Sequence, residues 1–117
     1  SQSYTFGQIA EQKALHIQKA RVFNFVTKLQ YRKAEIDIIA TKDDFIVAIE
    51  VKARSSSIYG NPETFVSKKK IQLLIMAMDT YIQQKKTQGE VRFDIITYLV
   101  EKGRWNRKHL ENAFYFF

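Results

Sequence analysis

The chain has 117 residues, 45% of them apolar and 26% charged, the composition of a globular protein and one that fits a single domain over 1–117. It has no cysteine, which excludes disulfides and thiolate metal sites, and no apolar run long enough to span a membrane. Nineteen Lys and Arg against twelve Asp and Glu give a net charge of +7, a balance that favours a polyanionic partner, most simply nucleic acid.

Thr5-Phe-Gly-Gln8 has the form of a capping box, and a helix over about residues 6–20 follows. Phe6, Ile9, Ala10, Ala14, Ile17 and Ala20 share one face of it, with Glu11 at the border. The polar N-terminal segment does not read as a signal peptide. A chain starting at Ser1 reads as trimmed, and a cytoplasmic location is expected. Residues 21–32, rich in β-branched and aromatic side chains, read as a strand. "EIDIIAT" and "DFIVAIEVKAR" read as two more, around Lys42-Asp43-Asp44. Tyr59-Gly60-Asn61-Pro62 lies in a polar loop. A second helix after Ser67 carries Ile71, Leu74, Ile75, Met78 and Ile82 on one face and ends near Lys85-Lys86. "VRFDIITYLV" is a strand, and a short last strand with an aromatic tail follows Gly103. The order is α-β-β-β-α-β with a further strand, an α/β domain with a mixed sheet flanked by helices. Strands two and three must form a hairpin, because the link is too short for a parallel crossover.

The hairpin raises the chemical question, because it sets charge inside apolar runs. A two-residue turn at Asp43-Asp44, or a four-residue loop on the same centre, places Asp37 opposite Glu50. Opposed carboxylates repel unless something neutral or positive intervenes. A hard divalent cation such as Mg²⁺ would resolve the conflict. Lys52, two residues beyond Glu50, shares its face, whereas Ile36, Ile38, Val47, Ile49 and Val51 are expected together on the other. A three-residue loop would spoil the pairing. The same residues can also be read as an exposed edge pair with Asp37 facing solvent.

Asp37 followed by Glu50-Val51-Lys52 resembles the PD-(D/E)XK nuclease motif. The ordered blocks "GQIAEQKA", "AEIDIIA", "IEVKAR", "YGNPETFVSKKK", "VRFDII" and "LENAF" resemble the YraN family of endonuclease-like proteins over nearly the whole chain. Ala10 and Ala34 stand where that family usually has glycine, and Ile36 where the broader motif has proline. The resemblance implies a restriction-endonuclease-like core, similar to that of archaeal Holliday-junction resolvases. It also adds Glu11, which by itself reads as a solvated helical glutamate.

The resemblance implies a nuclease architecture and not a known substrate. The first hypothesis is hydrolysis of DNA phosphodiester bonds, with branched or structured DNA as one candidate substrate, and resolvase-like enzymes act as dimers. In this reading Asp37 and Glu50 hold Mg²⁺, the Val51 carbonyl is a further ligand, and Glu11 holds a metal-bound water or a second cation. Lys52 orients the water and meets the phosphate charge. Mn²⁺ substitutes for Mg²⁺. Lys68, Lys69 and Lys70 at the start of the second helix oppose its dipole and read equally as phosphate contacts or a solvated run. Arg54, Arg32 and Arg92 are weaker phosphate candidates, and Tyr59 is more suited to packing. His16 and His109 have no partner at metal-ligand spacing, and Asp94 reads as a core-edge residue paired with Arg92. The competing classes are a non-catalytic nucleic-acid-binding module on the same fold and a protein-interaction scaffold.

Overall fold

The computed structural model describes residues 5–19, 24–42, 44–55, 66–86 and 89–113. The expectations for Tyr59 and its loop and for the aromatic tail at 114–117 lie outside them. Among the described residues are two helices and one five-stranded sheet: α1 Phe6–Lys19, β1 Asn24–Tyr31, β2 Ala34–Lys42, β3 Phe45–Arg54, α2 Lys68–Lys85, β4 Glu90–Glu101 and β5 Arg104–Leu110. The sheet order is β1-β2-β3-β4-β5. All neighbours are antiparallel except β3 and β4, which are parallel and joined through α2. This is the mixed α/β core expected from the sequence, with the helix-containing link supplying the length a parallel crossover needs.

Local chemistry sets the element ends. The capping box forms in both directions: the Gln8 amide donates to Thr5 Oγ1 at 3.2 Å, and the Thr5 amide donates to Gln8 Oε1 at 2.9 Å. Ser67 caps α2 by accepting from the Lys70 amide at 3.1 Å, and Lys86 closes it with a left-handed φ of 52°. Lys102 and Gly103, with φ of 49° and 76°, make the two-residue β4–β5 turn, in which both central residues need positive φ.

The two faces of the sheet are each sealed by a helix. Ala10 and Ala14 of α1 pack with Ile38, Ala40, Val47, Ile49, Val51, Ile96 and Tyr98. Leu74, Ala77 and Met78 of α2 pack on the other face with Ile36, Ile39, Ile46, Ala48, Phe93 and Ile95. Phe6, expected on the buried face of α1, is 38% exposed and sets its ring edge against Trp105 at 5.1 Å between centroids.

Two expectations for the hairpin are corrected. The face that bears Glu50 is not free of apolar contact, because Ile46 and Ala48 on that side pack under α2. Ile36 and Ile38 do not point the same way: Ile36 joins the α2 cluster and Ile38 the α1 cluster. Strand alternation fails between them, at Asp37. Across β1, Lys28 lies between the Thr27–Ile38 and Leu29–Ile36 pairs and has a φ of 55°. A left-handed residue inside a strand turns the backbone as a bulge does and re-aims the side chains beside it. The position facing Asp37 is where this distortion sits.

Candidate metal centre

The β2–β3 register is the expected one. Lys42 pairs with Phe45 and Ile38 with Ile49, so residue numbers across the hairpin sum to a constant that sets Asp37 against Glu50. The ladder ends there. Toward its start β2 stays paired with β1 through Tyr31–Ala34, while β3 stays paired with β4 through Arg54–Leu99. The sheet forks, and Asp37 fills the crotch of the fork. Its Oδ2 accepts a hydrogen bond from the Val51 amide at 2.8 Å, satisfying a backbone donor at the point where the strands separate.

The fork lets carboxylates from both sides of the sheet meet. On one side, the Asp37 charge bears on Glu50, and both residues are buried, at 8% and 5% exposure. On the other, ligand atoms of Glu11 from α1, Glu35 and Asp37 lie within 4.8 Å of one another. Lys52 Nζ is 3.7 Å from Glu50 Oε1. Lys70 reaches in from α2, with Nζ 3.9 Å from Glu50 Oε2 and donating to the Glu35 carbonyl at 3.4 Å. Lys28 Nζ, 3.9 Å from Glu11 Oε2, closes the β1 side.

The electrostatics follow from crowding acids out of water. Burial first, and then the neighbouring Asp37 charge, push the Glu50 carboxyl up to about 8 against the pull of Lys70 and Lys52. Glu11 is raised by burial, Asp37 and Glu35, with Lys28 and Lys52 opposing. Glu50 Oε2 is buried with no hydrogen-bond partner among the described residues, and Lys70 at 3.9 Å is too far to supply one. A hard divalent cation fits this donor set. The donors are carboxylate oxygens, one of them is buried and unsatisfied, and burial with the neighbouring Asp37 charge raises the proton affinity of Glu50 and Glu11.

Glu11, Asp37, Glu50 and Lys52, proposed from sequence, are therefore brought together. Val51 stands beside them on β3, tied to Asp37 through its amide. Glu35 was missed, although its position two residues before Asp37 in the same strand is the kind of signal that could have found it. The basic candidates separate. Lys68 and Lys69 are exposed on the first turn of α2, whereas Lys70 turns inward toward Glu50. Arg54, half-buried at the end of β3, donates to the Ala53 carbonyl at 2.9 Å. Arg32 lies over the Tyr31 ring.

Asp94 does pair with Arg92, but it is fully buried rather than at the core edge. Its Oδ1 accepts from Arg92 Nε at 2.9 Å and the Asn112 amide at 3.0 Å, and its Oδ2 accepts from Arg92 at 3.0 Å. His109 Nε2 is 2.8 Å from Oδ2. Spacing along the chain could not show that contact. It arises because the β4–β5 register pairs His109 with Ile96, beside Asp94 on the same face. Burial acts to raise the Asp94 carboxyl, and the bonds from His109, Arg92 and Asn112 outweigh it and hold the group below the usual carboxylate range.

The profile of uncharacterised protein family UPF0102 matches residues 10–98, which contain every candidate ligand. The chain belongs to this family. A UPF0102 protein of Flavobacterium psychrophilum is 45% identical over 91 residues, covering 78% of this chain and 76% of its own. One from Christiangramia forsetii is 42% identical over 88 residues, 75% and 74% of the two chains. One from Flavobacterium johnsoniae is 39% identical over 116 residues, 95% and 94% of the two chains. UPF0102 is the family to which the YraN-like blocks pointed. No described helix is long and apolar enough to cross a membrane.

Proposed function

We propose that this UPF0102 chain is a metal-dependent endonuclease that hydrolyses phosphodiester bonds in DNA, with branched or structured DNA as its substrate. The observation that carries the reading is the buried, unsatisfied Glu50 carboxylate beside Asp37 at the fork of the sheet, with Lys52 at 3.7 Å. Core positions rarely accept two acids without a charge to hold. A net charge of +7 around an acidic centre suits a polyanion that is gathered by the surface and acted on at one point.

Asp37 and Glu50 would hold Mg²⁺ or Mn²⁺, with Glu11, Glu35 and the Val51 carbonyl as further oxygen donors. The bound cation supplies Lewis acidity toward the scissile phosphate and lowers the pKa of water. Asp37 does two things at once: it offers charge to the cation and, through the Val51 amide, fixes the opening between β2 and β3. Lys52 would orient the attacking water and face the charge that builds on the phosphate oxygens. The water oxygen bonds to phosphorus as the phosphorus–oxygen bond to the leaving sugar breaks, and the leaving oxygen takes a proton. Lys68 and Lys69, exposed on the first turn of α2, and Arg54 are the proposed contacts to flanking phosphates.

The test is cleavage of end-labelled four-way-junction, flapped and plain duplex DNA with Mg²⁺, with Mn²⁺ and with EDTA. Metal-dependent products from a branched substrate, absent with Asp37→Asn, are expected. DNA binding that is independent of metal and never leads to cleavage would instead favour the binding-module reading.

A further inference from the structure

A second feature lies on the far flank of α1 from Glu11. A groove of about 820 Å³ runs between α1 and the β4–β5 edge of the sheet, within the size range of small-ligand sites. Ile9, Gln12, Lys13 and His16 of α1 line one side, and Tyr98, Trp105 and Arg107 the other. No acid lies among the described lining residues, although the centre on the opposite flank of the same helix is crowded with them.

The register explains the second wall. Trp105 and Arg107 alternate on one face of β5, and Arg107 is paired with Tyr98. The Trp105 ring meets Tyr98 edge-on at 5.9 Å and Phe6 at 5.1 Å, which fixes its plane. The Lys13 ammonium lies 5.1 Å from the Trp105 ring centroid. Tyr98 is only 3% exposed, and its hydroxyl has no hydrogen-bond partner among the described residues. An indole set between Lys13 and Arg107 in an acid-free groove, beside a buried and unsatisfied hydroxyl, is an arrangement that packing alone does not call for.

We propose that this groove docks an unpaired nucleotide of the nucleic-acid substrate, its base against Trp105 and its phosphate on Lys13 and Arg107. The inference rests on the nucleic-acid reading above and narrows the substrate to one with a single-stranded segment. Base–aromatic stacking is stronger than an exposed cation–π contact, so a base displaces Lys13 from the indole face. The ammonium is then free to meet the phosphate of the same nucleotide. Gln12, exposed on the groove wall, supplies a polar edge without demanding one base, so little sequence preference is expected. α1 alone separates the groove from the carboxylates, and a helix is about 10–12 Å across. A strand can therefore cross it from one site to the other.

Trp105 is the only tryptophan in the chain, so its emission reports the groove directly. The experiment titrates the full chain with oligo(dT) in EDTA, following tryptophan emission, and repeats the titration by anisotropy of labelled oligo(dT) with variants. Saturable quenching is expected. Lys13→Gln and Arg107→Gln should each weaken binding and lower the slope of log affinity against log salt by about 0.7, the value for one phosphate contact on a single strand. Trp105→Leu should weaken it roughly tenfold or more, and Trp105→Phe, which keeps an aromatic ring, much less. Should Trp105→Leu fail to fold, the Lys13 and Arg107 variants alter exposed side chains and still decide the matter. Oligo(dT) that does not quench Trp105, while branched or duplex DNA binds, would overturn the groove and leave the nuclease reading intact. Oligo(dT) binding unchanged in all these variants would likewise overturn it. If no nucleic acid of any form binds, both proposals fall.

Discussion

Asp37 and Val51 are joined by a 2.8 Å hydrogen bond from the Val51 amide to the Asp37 carboxylate, at the point where β2 and β3 part. One side chain therefore has two separable duties, to satisfy a backbone donor and to carry charge. Asp37→Asn keeps an acceptor for the Val51 amide and removes the charge. It should fold with near-native stability and lose divalent-cation binding. Asp37→Ala leaves the buried donor unpaired and should also lose about 1–3 kcal/mol of stability, measurable by urea denaturation. Equal loss of stability in the two variants would contradict this division.

The pH dependence of stability without metal follows from Glu50. Its carboxyl titrates at about 8 in the folded chain against an ordinary 4.5. The unfolded chain gives up this proton first as pH rises. The contribution is therefore fully present below pH 4.5, falls as pH rises from there, and is lost by the time the folded value of about 8 is passed. Glu50→Gln should flatten that slope and leave the metal-free protein more stable than wild type at pH 9. The difference should be on the order of a few kcal/mol. Saturating Mg²⁺ or Mn²⁺ should flatten the wild-type slope as well, because it stabilises the ionised form. A metal-free stability that rises between pH 5 and pH 8 in proportion to Glu50 would contradict the assignment.

Lys52 should separate binding from chemistry. Lys52→Gln removes the ammonium 3.7 Å from Glu50 but none of the carboxylates. Metal affinity should persist, while the cleavage rate falls by roughly 10²–10³-fold, the usual cost of one electrostatic contact made in the transition state. Unchanged cleavage with this variant would remove Lys52 from the mechanism.

Asp94 provides a contrasting acid, buried but fully satisfied by Arg92, His109 and the Asn112 amide. Because its folded carboxyl is held below the usual range, its stabilisation is present above the unfolded value and lost as pH falls through the folded one. Asp94→Asn leaves Arg92 and His109 without their charge and should cost about 3 kcal/mol or more in thermal or urea denaturation. Metal binding at the Asp37–Glu50 centre should survive at temperatures where the variant is folded. Loss of metal with no loss of stability would place Asp94 in the site after all.

The surface lysines make an affinity prediction. Lys68→Gln with Lys69→Gln, both exposed on the first turn of α2, should lower duplex affinity and reduce the salt slope by about 1.8, or 0.9 per lost contact. A slope identical to wild type in a binding titration across salt concentrations would make them a solvated run.

The Asp37–Glu50 juxtaposition was legible in the chain because a tight turn and a two-residue strand period leave few registers open, and Lys42 does pair with Phe45. The helix faces of α2 and the capping box at Thr5 were legible for the same reason, since short-range rules govern them. What escaped depends on contacts between distant segments. Ile36 and Ile38 go to different cores beside a left-handed Lys28 on the neighbouring strand, and no local pattern announces it. The inward turn of Lys70 needs α2 to cross over the fork, and the bond between His109 and Asp94 needs the β5 register. The basic groove needs α1 and β5, nearly a chain length apart, to lie side by side.

The central claim is that Asp37 and Glu50 jointly hold a divalent cation. The most direct measurement is a calorimetric titration with Mn²⁺, in the presence and absence of DNA, of the wild type, Asp37→Asn and Glu50→Gln. Saturable binding to the wild type is expected, competed by Mg²⁺ and lost in both variants although each remains folded. No binding to the wild type under any of these conditions, or equal binding to all three proteins, would contradict it.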